Sequence, residues 1–236
     1  MNFEIVGSGD NMLFVSLSKG EEISCESGSM AMMEGNLDLV GEMKGGFWSA
    51  VGRKLTNGES FFTQSIRATR GNGEALLSPV IPGDIHVLEC GGPQQYFLND
   101  GVFLASDARI DVKVRTQSLG RALFGGTGGF FLGQTQGTGK VAVSGFGTVM
   151  ELGVDATADN PVTIDNNHVV AWDVGLTYDL ALNTNRSSGF LGSLVNSAVS
   201  GEGIVCKFSG KGKVVICSRN RNDYLAYLAS KIAPKG

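Results

Sequence analysis

Histidine is nearly absent from this chain: of its 236 residues only His86 and His168 are histidine. A structural or catalytic metal site needs three or four His, Cys or carboxylate ligands close together. Two histidines far apart, with no H-x-H spacing, argue against one. The four cysteines, Cys25, Cys90, Cys206 and Cys217, form no C-x-x-C, so zinc-ribbon and thioredoxin spacings are missing as well. No metal or cofactor is therefore expected. Each cysteine falls in strand-like sequence and reads as a buried, reduced thiol; Cys206 and Cys217 would face each other only if Lys211-Gly212 closes a hairpin. An excess of basic charge is also missing. With 19 Lys and Arg against 23 Asp and Glu, the net charge is −4, which opposes a general grip on phosphate backbones and makes nucleic acid an unfavoured partner. No stretch of about 18 apolar residues occurs to span a bilayer. The N-terminal sequence has neither the basic region and apolar run of a signal peptide nor the Arg-rich character of a transit peptide, so a cytoplasmic protein is expected.

Catalytic and nucleotide motifs are missing too. There is no G-x-G-x-x-G, and GTGK at 137–140 is followed by Val141 and a strand pattern, not by the Ser or Thr and helix of a phosphate-binding loop. Ser29, Asp84 and His168 supply the residue types of a hydrolase triad without a G-x-S-x-G elbow.

What the chain has is glycine, 35 residues against 5 prolines, in a composition 42% hydrophobic and 18% charged. That balance suits many short strands joined by tight turns. The turns recur. Ser27-Gly28, Asp100-Gly101 and Asn166-Asn167 are of residue types that tolerate positive φ, and each is flanked by an apolar pair: Cys25 and Met30, Leu98 and Phe103, Ile164 and Val169. Gly-x-Gly elements start at Gly71, Gly145 and Gly210. The first landmarks are displaced by 73 and 66 residues and the second by 74 and 65, and such concordant spacing signals an internal repeat. The expected architecture is all-β: three tandem sandwich or double-stranded β-helix units (about 1–81, 82–153 and 154–218) about a pseudo-threefold axis, forming one compact body.

Between the two landmarks of each copy lies a Gly-Phe insert: Phe47 and Trp48, Phe130 and Phe131, Phe190 and Leu191. Apolar spacing predicts short helices at 47–55 and 190–198, with a shorter segment at 118–124. A last helix is expected over 222–232, capped by Asn222 or Asp223. Its stripe of Leu225, Leu228 and Ile232 would pack back on the sheet.

GEEISCESGSMAMM, GGFW, GES, PGDIHVL, VFLASD and GEGIVCKFSGKGKVVI resemble the altered-inheritance-of-mitochondria, or mitochondrial biogenesis, family over nearly the whole chain. The resemblance implies a fold similar to the tryptophan RNA-binding attenuation protein and a structural or organising, non-enzymatic role.

Two sets of candidate site residues follow. Phe47, Trp48, Phe130, Phe131, Phe190 and Leu191 would either plug one end of the core or form an interaction surface for a protein or membrane. Glu26, Asn99 and Asp165 recur at one position beside the first turn, where they either support the turn or gather into a polar ligand site. The expected function is a non-catalytic, self-assembling or protein- and membrane-organising protein, a homo-oligomer with a trimer favoured. The alternative is a small-ligand or nucleic-acid binding module using the polar position or the basic group Lys207, Lys211, Lys213, Arg219 and Arg221.

Overall fold

The structure, a computed structural model, describes residues 1–40, 63–117, 130–182 and 204–232. Seven strands precede the first interior proline turn: β1 Asn2–Val6, β2 Met12–Leu17, β3 Glu22–Glu26, β4 Met30–Met33, β5 Leu37–Val40, β6 Thr63–Ala68 and β7 Gly73–Leu77. Six follow it: β8 Gly83–Cys90, β9 Tyr96–Leu98, β10 Phe103–Asp107, β11 Ile110–Gln117, β12 Phe130–Gly137 and β13 Gly139–Phe146. Then come β14 Val149–Ala156, β15 Val162–Asp165, β16 Val169–Asp173, β17 Thr177–Leu182, the long β18 Ile204–Cys217 and a helix, α1 Arg221–Ile232. The fold is all-β, as expected, with one α-helix among the described residues. Alternation makes the outer strands: Leu13, Val15 and Leu17 of β2 are buried and the residues between them half-buried, the period-2 pattern of a sheet with one covered face. Central β10 is buried at all five positions, FLASD, because it is covered on both faces.

Among the described residues every ladder between strands is antiparallel, and one scheme accounts for nearly all of them. β7 lies between β2 and β4, while β6 lies between β3 and β5. β13 lies between β8 and β10, while β12 lies between β9 and β11. The second half of β18 lies between β14 and β16, and its first half between β15 and β17. A one-residue slip in register falls at matching places, between Met30 and Met32, Phe103 and Ala105, and Val169 and Ala171. Two further pairings join the groups, β3 with β10 and β9 with β16. Among the described residues no strand of 2–77 pairs with one of 149–217, so the described pairings form an open series. Three core clusters lie along it, centred on Leu13, Ile23 and Ile66, on Leu98, Phe103 and Val215, and on Trp172, Phe208 and Val214.

Several sequence expectations need correction. Gly28 and Gly101 do take positive φ, +86° and +69°, but the turns they make are not hairpins. β3 and β4 enter different sheets, as do β9 and β10, so each bend carries the chain from one layer to the other. The third bend has no positive φ; Asn166–His168 form a 3-10 turn capped by Asp165. Gly71 lies between β6 and β7, whereas Gly145 sits inside β13, where a Cβ would meet Cys217 Cβ and Val149 Cγ2 at 2.7 Å. Gly145 therefore serves close packing and is not the counterpart of Gly71. Gly210, at φ +104°, bends β18 without ending it. Because β18 runs through, Cys206 and Cys217 are not cross-hairpin partners; both are free and buried in different clusters.

The final helix begins at Arg221, one residue before the expected range, and neither its expected cap, Asn222 or Asp223, nor its expected packing is found. Asn220 caps it, its Oδ1 accepting the N–H groups of Asn222 and Asp223 at 2.9 and 3.3 Å, the usual service of an N-cap asparagine. Tyr224 packs on Phe146 with ring centroids 5.1 Å apart. None of its residues is buried, and Leu225 and Ile232 are 54% and 76% exposed.

Candidate functional site

Two of the three repeated polar residues work on the bends. Asn99 donates from Nδ2 to the carbonyls of Val169 and Asn166, at 2.8 and 3.2 Å, and accepts the Asp100 N–H at 3.0 Å. Its own N–H donates to Val170 O at 2.9 Å. One side chain thus ties the bend after β9 to the bend before β16. Asp165 accepts the Asn167 N–H at 2.8 Å. Glu26 differs: its backbone carbonyl accepts the Ser29 hydroxyl at 2.7 Å, while burial pushes its carboxyl above the usual range. A carboxyl raised in the folded state makes stability increase as pH falls through that folded value toward the unfolded one, and imposes a constant penalty above it. Glu26→Gln is accordingly expected to raise stability at pH 7 and to abolish this gain on acidification; urea titrations of both proteins from pH 4 to 8 check it.

These bends line a cleft of about 320 Å³ between the second and third groups of strands, with Asn99, Asn166, Asn167, Asn220 and Arg219 on its walls. Asn222 donates to Asn167 Oδ1 at 3.2 Å, tying α1 to the rim. The cleft offers amide donors and acceptors with guanidinium charge, chemistry suited to a small polar or anionic molecule. Sequence reading found Asn99 but not the cleft, because its walls come from residues as far apart as Ile81 and Asn222.

The other candidate residues are dispersed. Among the described residues no group of three His, Cys, Asp or Glu could hold a metal. His168 Nδ1 lies 2.8 Å from Cys217 O, and His86 lies 3.6 Å from Glu151. Ser29 bonds Glu26 O, and Asp84 accepts from Asn11 Nδ2 at 2.6 Å and from the Ile85 N–H at 2.8 Å, so Ser29, Asp84 and His168 are each engaged apart. In the basic group, Lys213 pairs with Glu151 at 2.8 Å and Lys211 with Asp155 at 3.6 Å, neutralising much of that face. Lys140 of the GTGK segment reaches Glu89 at 3.5 Å, and a Cβ on Gly139 would strike Asp107 at 2.7 Å; this glycine serves a close approach of chains. Of the insert residues, Phe47, Trp48, Phe190 and Leu191 lie outside the described residues. Phe130 and Phe131 begin β12, opposite Gln117 and Thr116. The expected insert helices at 47–55, 118–124 and 190–198 also lie outside the described residues.

Sequence reading missed the strand edges. β4 pairs only with β7, and β15 only with β18, among the described residues. Each carries an exposed apolar side chain, Met32 at 39% and Val162 at 37%. With Leu225 and Ile232 of α1, these are apolar groups that the described surface presents. No described helix is long and apolar enough to cross a membrane.

The architecture has counterparts among known proteins. A crystal structure of a Streptococcus pyogenes protein superposes with a TM-score of 0.77 at 32% identity, covering 98% of this chain and 99% of that one. An uncharacterized protein of Streptococcus pyogenes serotype M6 is 37% identical over 221 residues, 91% of this chain and 84% of the relative. The family described as mitochondrial biogenesis AIM24 matches residues 3–219, and the chain belongs to that family.

Proposed function

We propose that this protein is a non-catalytic scaffold that assembles with itself and organises other proteins or a membrane surface. It is built from three tandem units, each similar to the unit of the tryptophan RNA-binding attenuation protein. The observation that carries this reading is the single strand-pairing scheme used three times, with the same register slip, in a series whose end strands each keep an edge unpaired among the described residues. Open edges and exposed apolar side chains are surfaces that a monomeric protein ordinarily blunts or covers. The exposed stripe of α1 offers a second contact, for a protein groove or the interfacial layer of a bilayer. Static light scattering on the purified chain from about 1 to 100 µM tests the reading. The expected result is a mass that exceeds the 24.8 kDa of one chain and rises with concentration; a constant single-chain mass contradicts it.

The cleft beside Asn99 supports a second reading, a module for a small polar or anionic ligand. Thermal-shift screening of metabolites and short RNAs separates the two, because a ligand that binds only the folded state raises the melting temperature by mass action. A shift removed by Arg219→Ala would favour the module.

A further inference from the structure

We infer that the protein assembles head to tail, β15 of one copy adding to β4 of the next. The inference rests on the self-assembly reading above and names its contact. Inside the chain, two junctions show how one unit joins another. At β3–β10, Cys25 faces Ala105 and Ser24 faces Ser106. At β9–β16, Leu98 faces Ala171 and Phe97 faces Trp172. In both, the strand before a unit's first bend pairs with the strand after the next unit's first bend. The members left over are β15 of the last unit and β4 of the first.

The shared bends and register slips fix which residues would meet. Ile164 stands where Cys25 and Leu98 stand, and Met32, just after the slip, where Ala105 and Ala171 stand. The same register sets Ile164 opposite Met32, Thr163 opposite Met33 and Val162 opposite Glu34. Backbone directions agree. The Glu34 N–H donates to Glu74 O at 2.9 Å, toward β7, so by alternation the Met33 N–H points to the open edge. The Asn99 N–H crosses its junction to Val170 O at 2.9 Å; the matching Asp165, and Thr163 two residues before it, direct their N–H groups outward from β15. Met33 and Thr163 would then form a pair that exchanges two hydrogen bonds.

The edges also lack what normally prevents such pairing. Proteins guard edge strands with Lys, Pro or inward charge. β4, MAMM, carries no charge and no proline, and in β15, VTID, the one charge is Asp165, turned to the Asn167 N–H. The joined sheet would run β17-β18-β15-β4-β7-β2-β1. Because the two surfaces differ, the contact is heterologous and builds a ring or a filament, according to the rotation between copies.

Met33→Pro and Thr163→Pro each remove one outward N–H and clash with an added strand, a substitution that edge strands accept. By light scattering, each variant alone is expected to have single-chain mass, and a 1:1 mixture to give dimers and nothing larger, because one open head meets one open tail. Retention of the wild-type mass by both variants overturns the inference and leaves self-assembly standing. Loss of assembly in only one variant, or a mixture that stays monomeric, also overturns it. A monomeric wild type overturns both readings. If a proline variant fails to fold by circular dichroism, Met32→Cys and Ile164→Cys decide. The four native thiols are buried, so mild oxidation of the mixture should give disulfide-linked dimers, and oxidation of either variant alone none; any other pattern overturns the inference.

Discussion

Alanine at Trp172 is expected to lower unfolding free energy by about 3–5 kcal/mol, in the range for truncating a large buried aromatic. Trp172 is 1% exposed and lies at the centre of an aromatic cluster, with ring centroids 4.9 Å from Tyr178 and 5.6 Å from both Phe97 and Phe208. Phe97 belongs to β9 and faces Trp172 across the β9–β16 junction, so the truncation empties the core and loosens the seam between two groups of strands. Phenylalanine should cost much less, about 1–2 kcal/mol, although it is smaller. The indole Nε1 is buried with no hydrogen-bond partner among the described residues, and removing an unpaired buried donor returns part of the lost packing energy. Urea unfolding of the two variants followed by circular dichroism measures both. Equal losses would mean that packing volume alone matters there.

Alanine at Gly83 should destabilise by about 2–3 kcal/mol, the scale of forced overpacking, for a reason unrelated to φ. A Cβ at that position would be driven into the carbonyl of Gly145 and to 2.8 Å from the Gly147 nitrogen. Both are backbone atoms that cannot rotate aside, and Gly147 O accepts the neighbouring Asp84 N–H at 2.8 Å. Gly153→Ala is the control with the opposite sign: nothing lies within 4 Å of its Cβ position and its φ is not positive. Reducing the freedom of the unfolded chain there should stabilise by about 0.4–1 kcal/mol. Thermal unfolding of both proteins gives the comparison, and a loss at Gly153 as large as that at Gly83 would contradict the steric explanation.

These glycines also mark where sequence reading reached and where it stopped. Ser27-Gly28 and Asp100-Gly101 were readable as bends because positive φ is a local demand that leaves a local signature. Whether a bend closes a hairpin or carries the chain to another sheet is decided by partners 39 to 80 residues away, such as Gln64 and Ala105 opposite Cys25, and nothing local encodes that choice. Gly145 imitated a turn because Gly-x-Gly is also what two closely approaching backbones require. The repeated polar position was found, yet its three members act differently. Asn99 bridges two bends, Asp165 caps a 3-10 turn, and Glu26 sits with its carboxyl partly desolvated. The range of α1 was readable from its apolar period. Its exposure was not, since periodicity reports that a face is apolar and not what lies against it. The edges of β4 and β15 had no sequence signal of their own; they stand out only once β3 is seen to pair with β10 and β9 with β16.

A cryo-electron-microscopy reconstruction of the assembled protein tests the central claim most directly. The account predicts three groups of strands that superpose on one another, with Thr163 of one copy lying opposite Met33 of the next in a continuous antiparallel ladder. Copies that meet through α1 or another face while β4 and β15 stay open, or groups of strands that do not superpose, would contradict it.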